Sequence, residues 1–146
     1  ILEIKKHATP QRETQVVEAI LRLAREMRLV PQIEFISFSR HACDEVLRLQ
    51  PDAVVVYVSS DMAAMSPAEA KKRGYGGLSY QLNVLMNRPE LVDEANRLGI
   101  ATTLWMVNDC ELIDWAARHG ITYVSTDCPD KAEAYLEAVA AYKNKK

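Results

Sequence analysis

The strongest constraint on the fold is a repeated junction in which a helical segment ends at a glycine and a β-type run follows. It reads LGIATTLWMV at 98–107 and HGITYVST at 119–126. Glycine readily adopts the left-handed conformation that ends a helix, and β-branched and aromatic residues favour strands. The run AVVVYV at 53–58 is apolar on both faces, as parallel strands covered on both sides tend to be. The pattern therefore predicts an α/β fold with a parallel sheet built from βα repeats.

Strands and helices alternate along the whole predicted order. The strands are predicted at 1–6, 33–38, 53–58, 77–80, 100–107 and 121–126. The helices are predicted from Thr9-Pro10, over 40–49, from Ser66 to Gly74, over 88–98, from Asn108 to Gly120, and over 129–142. Within the first helix, Val16, Ile20, Leu23 and Met27 recur at helical spacing, which predicts that they share one apolar face.

Two architectures fit this order. The first is an open doubly wound sheet, which is complete at 146 residues. The second is a (β/α)8 barrel, which typically needs about 250 residues, so this chain would form part of a barrel. The sequence contains neither GxGxxG nor GxxxxGK[ST], so the nucleotide-binding versions of the open sheet lack support. No stretch has the composition of a linker, and we predict that residues 1–146 form one structural unit.

Composition narrows the class of protein. The chain is 49% hydrophobic, with a net charge of -2, and this balance gives no electrostatic footprint for nucleic acid or an anionic membrane. We expect no nucleic-acid partner, and no apolar run is long enough to span a bilayer. Cys43, Cys110 and Cys128 are widely spaced, which predicts reduced thiols instead of a disulfide framework or a zinc site. The compartment, cytoplasm or periplasm, is left open.

Polar and aromatic side chains occur at the carboxyl ends of the predicted strands, where sites recur in parallel α/β proteins. They are Glu3, Lys5, Ser37, Tyr57, Ser59, Ser79, Trp105, Asn108, Thr126 and Asp127. Glu3 and Lys5 share one face of their strand, so the carboxylate is satisfied either by this lysine or by a metal ion. Asn108, with Glu111 three residues later, fits a helix N-cap, and Trp105 fits the wall of a pocket.

Four short motifs carry a resemblance to a known family. They are Leu2-Glu3-Ile4-Lys5, Ile36-Ser37-Phe38, Trp105-Met106-Val107-Asn108 and Thr126-Asp127-Cys128-Pro129. In order and spacing they resemble the glycerophosphodiester phosphodiesterases, with Met106 where that family usually has threonine. The likeness covers essentially all 146 residues and implies a partial (β/α)8 TIM barrel, the C-terminal portion of the family's barrel. The family's His-Arg-Gly, E-x-D and His-Asp motifs, which carry its catalytic histidines and most metal ligands, do not occur in this sequence.

The resemblance also implies a reaction and roles for three residues. The intact enzyme is expected to hydrolyse glycerophosphodiesters to glycerol 3-phosphate and an alcohol with Mg²⁺ or Ca²⁺, the head group being left open. By resemblance Glu3 is a metal ligand, Lys5 lies near the phosphate oxygens and Trp105 walls the substrate pocket, while no catalytic residue is assigned.

We expect the chain alone to be inactive, and we expect the missing N-terminal half of the barrel or a second copy to cover its open edge. One alternative is a non-catalytic half-barrel scaffold that assembles as a homodimer. An unrelated open-sheet α/β binding domain is the third interpretation.

Overall fold

A computed structural model describes the backbone of residues 1–143 and the side chains of residues 1–140. Its centre is one six-stranded sheet in which the spatial order of the strands follows the chain and every pairing is parallel. The strands are β1 (Leu2–Glu3), β2 (Glu34–Ser37), β3 (Val54–Ser59), β4 (Gly77–Gln81), β5 (Ala101–Trp105) and β6 (Tyr123–Val124). The helices are α1 (Pro10–Glu26), α2 (Arg40–Leu49), α3 (Pro67–Arg73), α4 (Leu82–Asn87), α5 (Glu90–Leu98), α6 (Cys110–His119) and α7 (Pro129–Lys143). Strands and helices alternate around half of a barrel, which confirms the predicted fold class.

Five of the predicted helix ends are confirmed by their capping geometry. The Thr9 hydroxyl accepts a hydrogen bond from the backbone N–H of Arg12, and Ser66 caps α3 in the same way. Gly74, Gly99 and Gly120 end α3, α5 and α6 with φ of 83°, 69° and 71°. A side chain is strained at such angles, so glycine is the residue that lets each helix turn into the next strand.

Four elements of the structure differ from the prediction. α4 and a short 3-10 turn at Val30–Gln32 were not predicted, because each is too short to show helical periodicity. β1 and β6 are each two residues long, shorter than the predicted runs at 1–6 and 121–126. Each lies at an edge of the described sheet and pairs with one neighbour, so fewer ladder bonds extend it.

The predicted apolar face of α1 differs from the face that is buried. The residues of α1 that are buried are Glu13, Val17, Leu21 and Ala24. Val16 and Ile20 are half-buried beside this face, whereas Leu23 and Met27 are exposed. The apolar residues of α1 therefore cover two adjacent faces, and the pattern alone did not show that a carboxylate belongs to the buried one.

The two faces of the sheet have different surroundings. On the face that packs against the helices, called here the helix side, the side chains are buried; they include Ile4, Phe35, Val55, Leu78 and Leu104. The opposite, concave side would face a barrel interior, and it leaves Ile1, Val54 and Tyr123 exposed. The hydrophobic core thus lies between sheet and helices. No helix in the described range is long and apolar enough to cross a membrane.

Candidate active site

A cavity of about 230 Å³ opens on the concave side at the carboxyl ends of the strands. Its lining consists of Glu3, Ile36, Phe38, Val58, Ser79, Trp105, Met106 and Ser125. Strand register explains this set: Glu3 is aligned with Ile36, and Val58 with Ser79, so their side chains project to the same face. The cavity therefore occupies the place where sites recur in parallel α/β proteins.

Glu3 and Lys5 form an ion pair at the edge of this cavity. The Lys5 ammonium lies 2.8 Å from Glu3 Oε2, and the side chains are 75% and 29% exposed. Lys5 lies beyond the end of β1, while Glu3 lines the cavity. Of the two ways to satisfy the Glu3 carboxylate, the structure contains the lysine pair. The assigned roles in metal and phosphate binding stay predictions.

A buried hydrogen-bond network fixes the end of β1 behind Glu3. The Ser37 hydroxyl donates to the Ile4 carbonyl at 2.7 Å, and the Ser39 hydroxyl donates to Glu13 Oε2 at 2.6 Å. The other oxygen of Glu13 accepts from the backbone N–H of His7 at 3.0 Å. Because Glu13 is buried, losing a partner leaves a desolvated carboxylate unsatisfied. The network therefore ties the segment after β1 to the start of α2.

Trp105 lines the cavity together with an aromatic residue that sequence reasoning did not single out. The rings of Phe38 and Trp105 meet edge to face, with centroids 5.9 Å apart at 81°. Among the described residues, the buried Trp105 Nε1 has no hydrogen-bond partner. The position of Trp105 agrees with a pocket wall, and its contact with substrate stays a prediction.

Asn108 does not cap α6 as predicted; the residue preceding that helix is Asp109. The side-chain oxygen Oδ1 of Asn108 accepts hydrogen bonds from the Thr126 hydroxyl at 3.0 Å and from the Asp127 backbone N–H at 2.9 Å. Its amide group donates to Asp127 Oδ2 at 3.0 Å. Asn108 therefore joins the segments that follow β5 and β6, which are neighbours in the sheet.

Other predicted strand-end residues have structural partners. Ser37 and Tyr57 are buried on the helix side, and the Arg40 guanidinium lies 5.7 Å from the centroid of the Tyr57 ring. Ser59 accepts from the Asp61 N–H at 3.0 Å and so shapes the loop after β3. Of this group, Ser79 is the residue that lines the cavity.

Phe38, Met106 and Ser125 line the cavity but were not singled out as site residues. The available signal was the alternation of side chains along a strand. Phe38 is two residues beyond Ile36, and Ser125 is two beyond Tyr123, so each continues the concave face of its strand. Phe38 and Met106 are apolar, and an apolar side chain at a strand end does not by itself distinguish a site from a core.

The described residues do not form a complete metal centre. Within the described range, no group of three or more His, Cys, Asp or Glu side chains is placed to hold a metal ion. Glu3 supplies one carboxylate, and a divalent cation takes several oxygen ligands. A metal site that includes Glu3 therefore requires ligands from elsewhere.

Comparison with known proteins identifies the relatives of this chain. A model described as "Glycerophosphoryl diester phosphodiesterase family" matches residues 2–131. The chain belongs to this family. A Mycobacterium tuberculosis protein named "Probable glycerophosphodiester phosphodiesterase 1" is 28% identical over 101 residues, which cover 69% of this chain and 37% of that protein. The resemblance inferred from the four motifs is confirmed.

Solved structures of the family share this fold. A glycerophosphodiester phosphodiesterase from Parabacteroides distasonis is 31% identical, with a TM-score of 0.88 over 94% of this chain and 57% of its own length. A structure from Silicibacter pomeroyi, described as a glycerophosphoryl diester phosphodiesterase, is 26% identical, with a TM-score of 0.84 over 96% of this chain and 50% of its own. This member of the family thus spans between 50% and 57% of the length of these two structures.

Proposed function

We propose that the polypeptide containing this half-barrel hydrolyses glycerophosphodiesters to glycerol 3-phosphate and an alcohol. One observation carries the proposal: in a chain of this family, Glu3 and Trp105 line one cavity at the carboxyl ends of the strands. A carboxylate can bind a divalent cation, a nearby ammonium can contact a phosphate oxygen, and an aromatic wall can cover an alkyl group. The remaining catalytic groups would come from outside the described residues.

Glu3 is proposed as one ligand of a Mg²⁺ or Ca²⁺ ion. A carboxylate oxygen suits these hard cations, and a bound cation would polarise the phosphate. The described residues offer one such ligand at this place, so they do not hold the ion by themselves. The half-barrel alone is therefore proposed to be inactive.

Lys5 and the aromatic pair are proposed to bind opposite parts of the substrate. The Lys5 side chain is 75% exposed, so its ammonium can move from Glu3 to a phosphate oxygen without crossing packed atoms. The faces of Trp105 and Phe38 are apolar surfaces for the C–H groups of the glycerol moiety. These contacts orient the diester and exclude water from one side of it.

The missing part of the barrel is proposed as the partner of the open edges. β1 and β6 each pair with one neighbour in the described sheet, and the concave side exposes Ile1, Val54 and Tyr123. Unpaired strand edges and apolar faces favour association. The same exposure supports the alternative of a non-catalytic scaffold that pairs with a second copy, in which the Glu3–Lys5 ion pair would remain without a ligand.

Hydrolysis of glycerophosphocholine by the complete polypeptide, with Mg²⁺ or Ca²⁺, tests the proposal. We expect Glu3→Gln to lower kcat/KM by at least about 100-fold, as expected when a ligand of a required metal is lost. Glu34→Gln is the matched control, since Glu34 lies on the concave side at the opposite end of β2. Wild-type activity in Glu3→Gln would overturn the role of Glu3.

The mass of the purified protein separates the enzyme from the scaffold. Light scattering of the 16.5 kDa chain alone would reveal a homodimer at twice that mass. Mass spectrometry of the native sample would reveal either a longer polypeptide or a second one of about 100 residues, the part that a barrel of about 250 residues lacks here. A stable homodimer of one species without hydrolysis would favour the scaffold.

A further inference from the structure

Exposed apolar side chains follow four neighbouring strands at the cavity end of the sheet. Phe38, Met62, Met86 and Met106 lie in the segments after β2, β3, β4 and β5, and they are 42%, 47%, 45% and 45% exposed. We call these four residues the apolar rim. Because parallel strands place all these segments at one end of the sheet, the rim belongs to the cavity end.

The apolar rim continues into the cavity. Phe38 and Met106 line both, and beneath them Ile36, Val58 and Trp105 give the cavity an apolar wall. On the outer part of the rim, Arg88 Nη1 donates to the Met62 carbonyl at 3.2 Å, which ties the loop after β3 to the end of α4. The site is therefore two-sided, with the Glu3–Lys5 pair at β1 and apolar side chains from β2 to β5.

This two-sided arrangement matches a ligand that is itself two-sided. Grouped apolar side chains in water mark binding surfaces, and flexible methionines adapt to apolar chains of different shape. A fully polar diester such as glycerophosphocholine would leave the rim in water. A diester with an alkyl or acyl chain would remove both the chain and the rim from water.

We propose that this site takes glycerophosphodiesters that carry an apolar chain, with that chain lying along the apolar rim. This inference rests on the proposed function and specifies its substrate class. The occupant is the apolar chain of a single diester molecule, because two members of the rim, Phe38 and Met106, also line the cavity where the phosphate would bind. The apolar chain of the diester can be attached through its alcohol or through its glycerol. In both cases the rim recognises the same hydrocarbon.

Three diesters used as monomers test this proposal on the complete polypeptide. They are glycerophosphocholine, the hexanol ester of glycerol 3-phosphate, and 1-hexanoyl-glycerophosphocholine. Methyl-¹³C labelling of the five methionines reports binding without requiring turnover. Met62, Met86 and Met106 report on the rim, whereas the exposed Met27, directly after α1, and the buried Met65 serve as internal references.

We expect at least one six-carbon ligand to bind 10-fold or more tightly than glycerophosphocholine, since each buried methylene strengthens binding by up to about fourfold. The Met106 methyl signal should shift with that ligand while the Met27 signal stays in place. Met106→Thr should reduce the gain in affinity that the six-carbon group gives, and Met27→Thr should retain that gain. The hexyl ligand that gains more identifies the side of the diester that carries the chain.

Equal affinity for all three ligands would overturn the inference and leave the proposed function standing. No binding of any ligand would overturn both. Shifts of the rim methionines with phosphatidylcholine vesicles but not with the monomeric ligands would also overturn it and assign the rim to a lipid surface.

Discussion

Phe35 and Phe38, the two phenylalanines of the chain, lie three residues apart on opposite sides of the sheet. Phe35 on the helix side is 1% exposed, whereas Phe38 on the concave side is 42% exposed. Val55 on the helix side is 1% exposed and Val54 on the concave side is 51% exposed, which is the same contrast. The same residue types therefore have different surroundings according to the face they occupy.

This contrast separates what holds the half-barrel together from what it offers to other molecules. On the helix side, the core side chains of the sheet are buried, and the buried carboxylate of Glu13 has two hydrogen-bond partners. On the concave side, apolar surface is left in water and Glu3 has an exposed lysine as its partner. Stability should depend on the first side, and binding on the second.

The largest expected difference in stability is between substitutions of the two phenylalanines. Phe35→Ala should lower the free energy of unfolding by about 3–5 kcal/mol, because it removes a buried ring and leaves a cavity. Phe38→Ala should lower it by less than about 1 kcal/mol. Urea unfolding of both variants measures the difference. Equal losses would show that the concave side is packed as tightly as the helix side.

The adjacent valines sharpen the comparison within one strand. Val55→Ala should lower the free energy of unfolding by about 2 kcal/mol, since it removes two buried carbons from the core. Val54→Ala, one residue earlier on β3, should change it by no more than about 0.5 kcal/mol. Both values come from the same urea titration. A large loss at Val54 would indicate that a second molecule covers the concave side in solution.

Local sequence signals predicted the features that depend on neighbouring residues. The strand order and the helix ends at Thr9, Ser66, Gly99 and Gly120 follow from propensity and capping within a few positions. The family resemblance rested on the same kind of short signal, and it identified Glu3 and Trp105, which share the cavity.

Features that depend on distant residues were missed or misread. Glu13 is buried because Ser39, 26 positions later, supplies a hydrogen bond, and nothing near Glu13 in sequence indicates this. Asn108 fitted a helix cap, but its partner Asp127 lies 19 positions away. The apolar rim depends on which loops surround the same end of the sheet, which only the strand order establishes.

A smaller effect is expected from pH, and it belongs to the helix side. Burial raises the pKa of the Cys43 thiol from 9.0 to about 12, with a further contribution from Asp44. Above pH 9 the unfolded state loses the thiol proton, whereas the folded state keeps it. The free energy of unfolding therefore does not depend on this thiol below pH 9, and it declines as the pH rises from 9 toward 12. Near pH 10 the loss should be about 1–2 kcal/mol.

Urea unfolding between pH 8 and pH 10.5 measures this decline, with Cys43→Ala as the comparison. That variant should show a shallower decline, while the part due to Tyr75 and Tyr80, whose pKa values burial also raises, should remain. The exposed Cys110 is the matched control, and Cys110→Ala should leave the slope unchanged. Identical slopes in all three proteins would contradict the assignment to Cys43.

The smallest expected effect on stability comes from the ion pair on the concave side. Lys5→Met should change the free energy of unfolding by less than about 1 kcal/mol, because exposed ion pairs are screened by water and salt. Urea unfolding at low salt and at high salt measures this. A loss above about 2 kcal/mol would mean that the pair holds β1 in place. A small loss, together with weaker binding of glycerol 3-phosphate, would mean that Lys5 contributes to ligand binding and little to the fold.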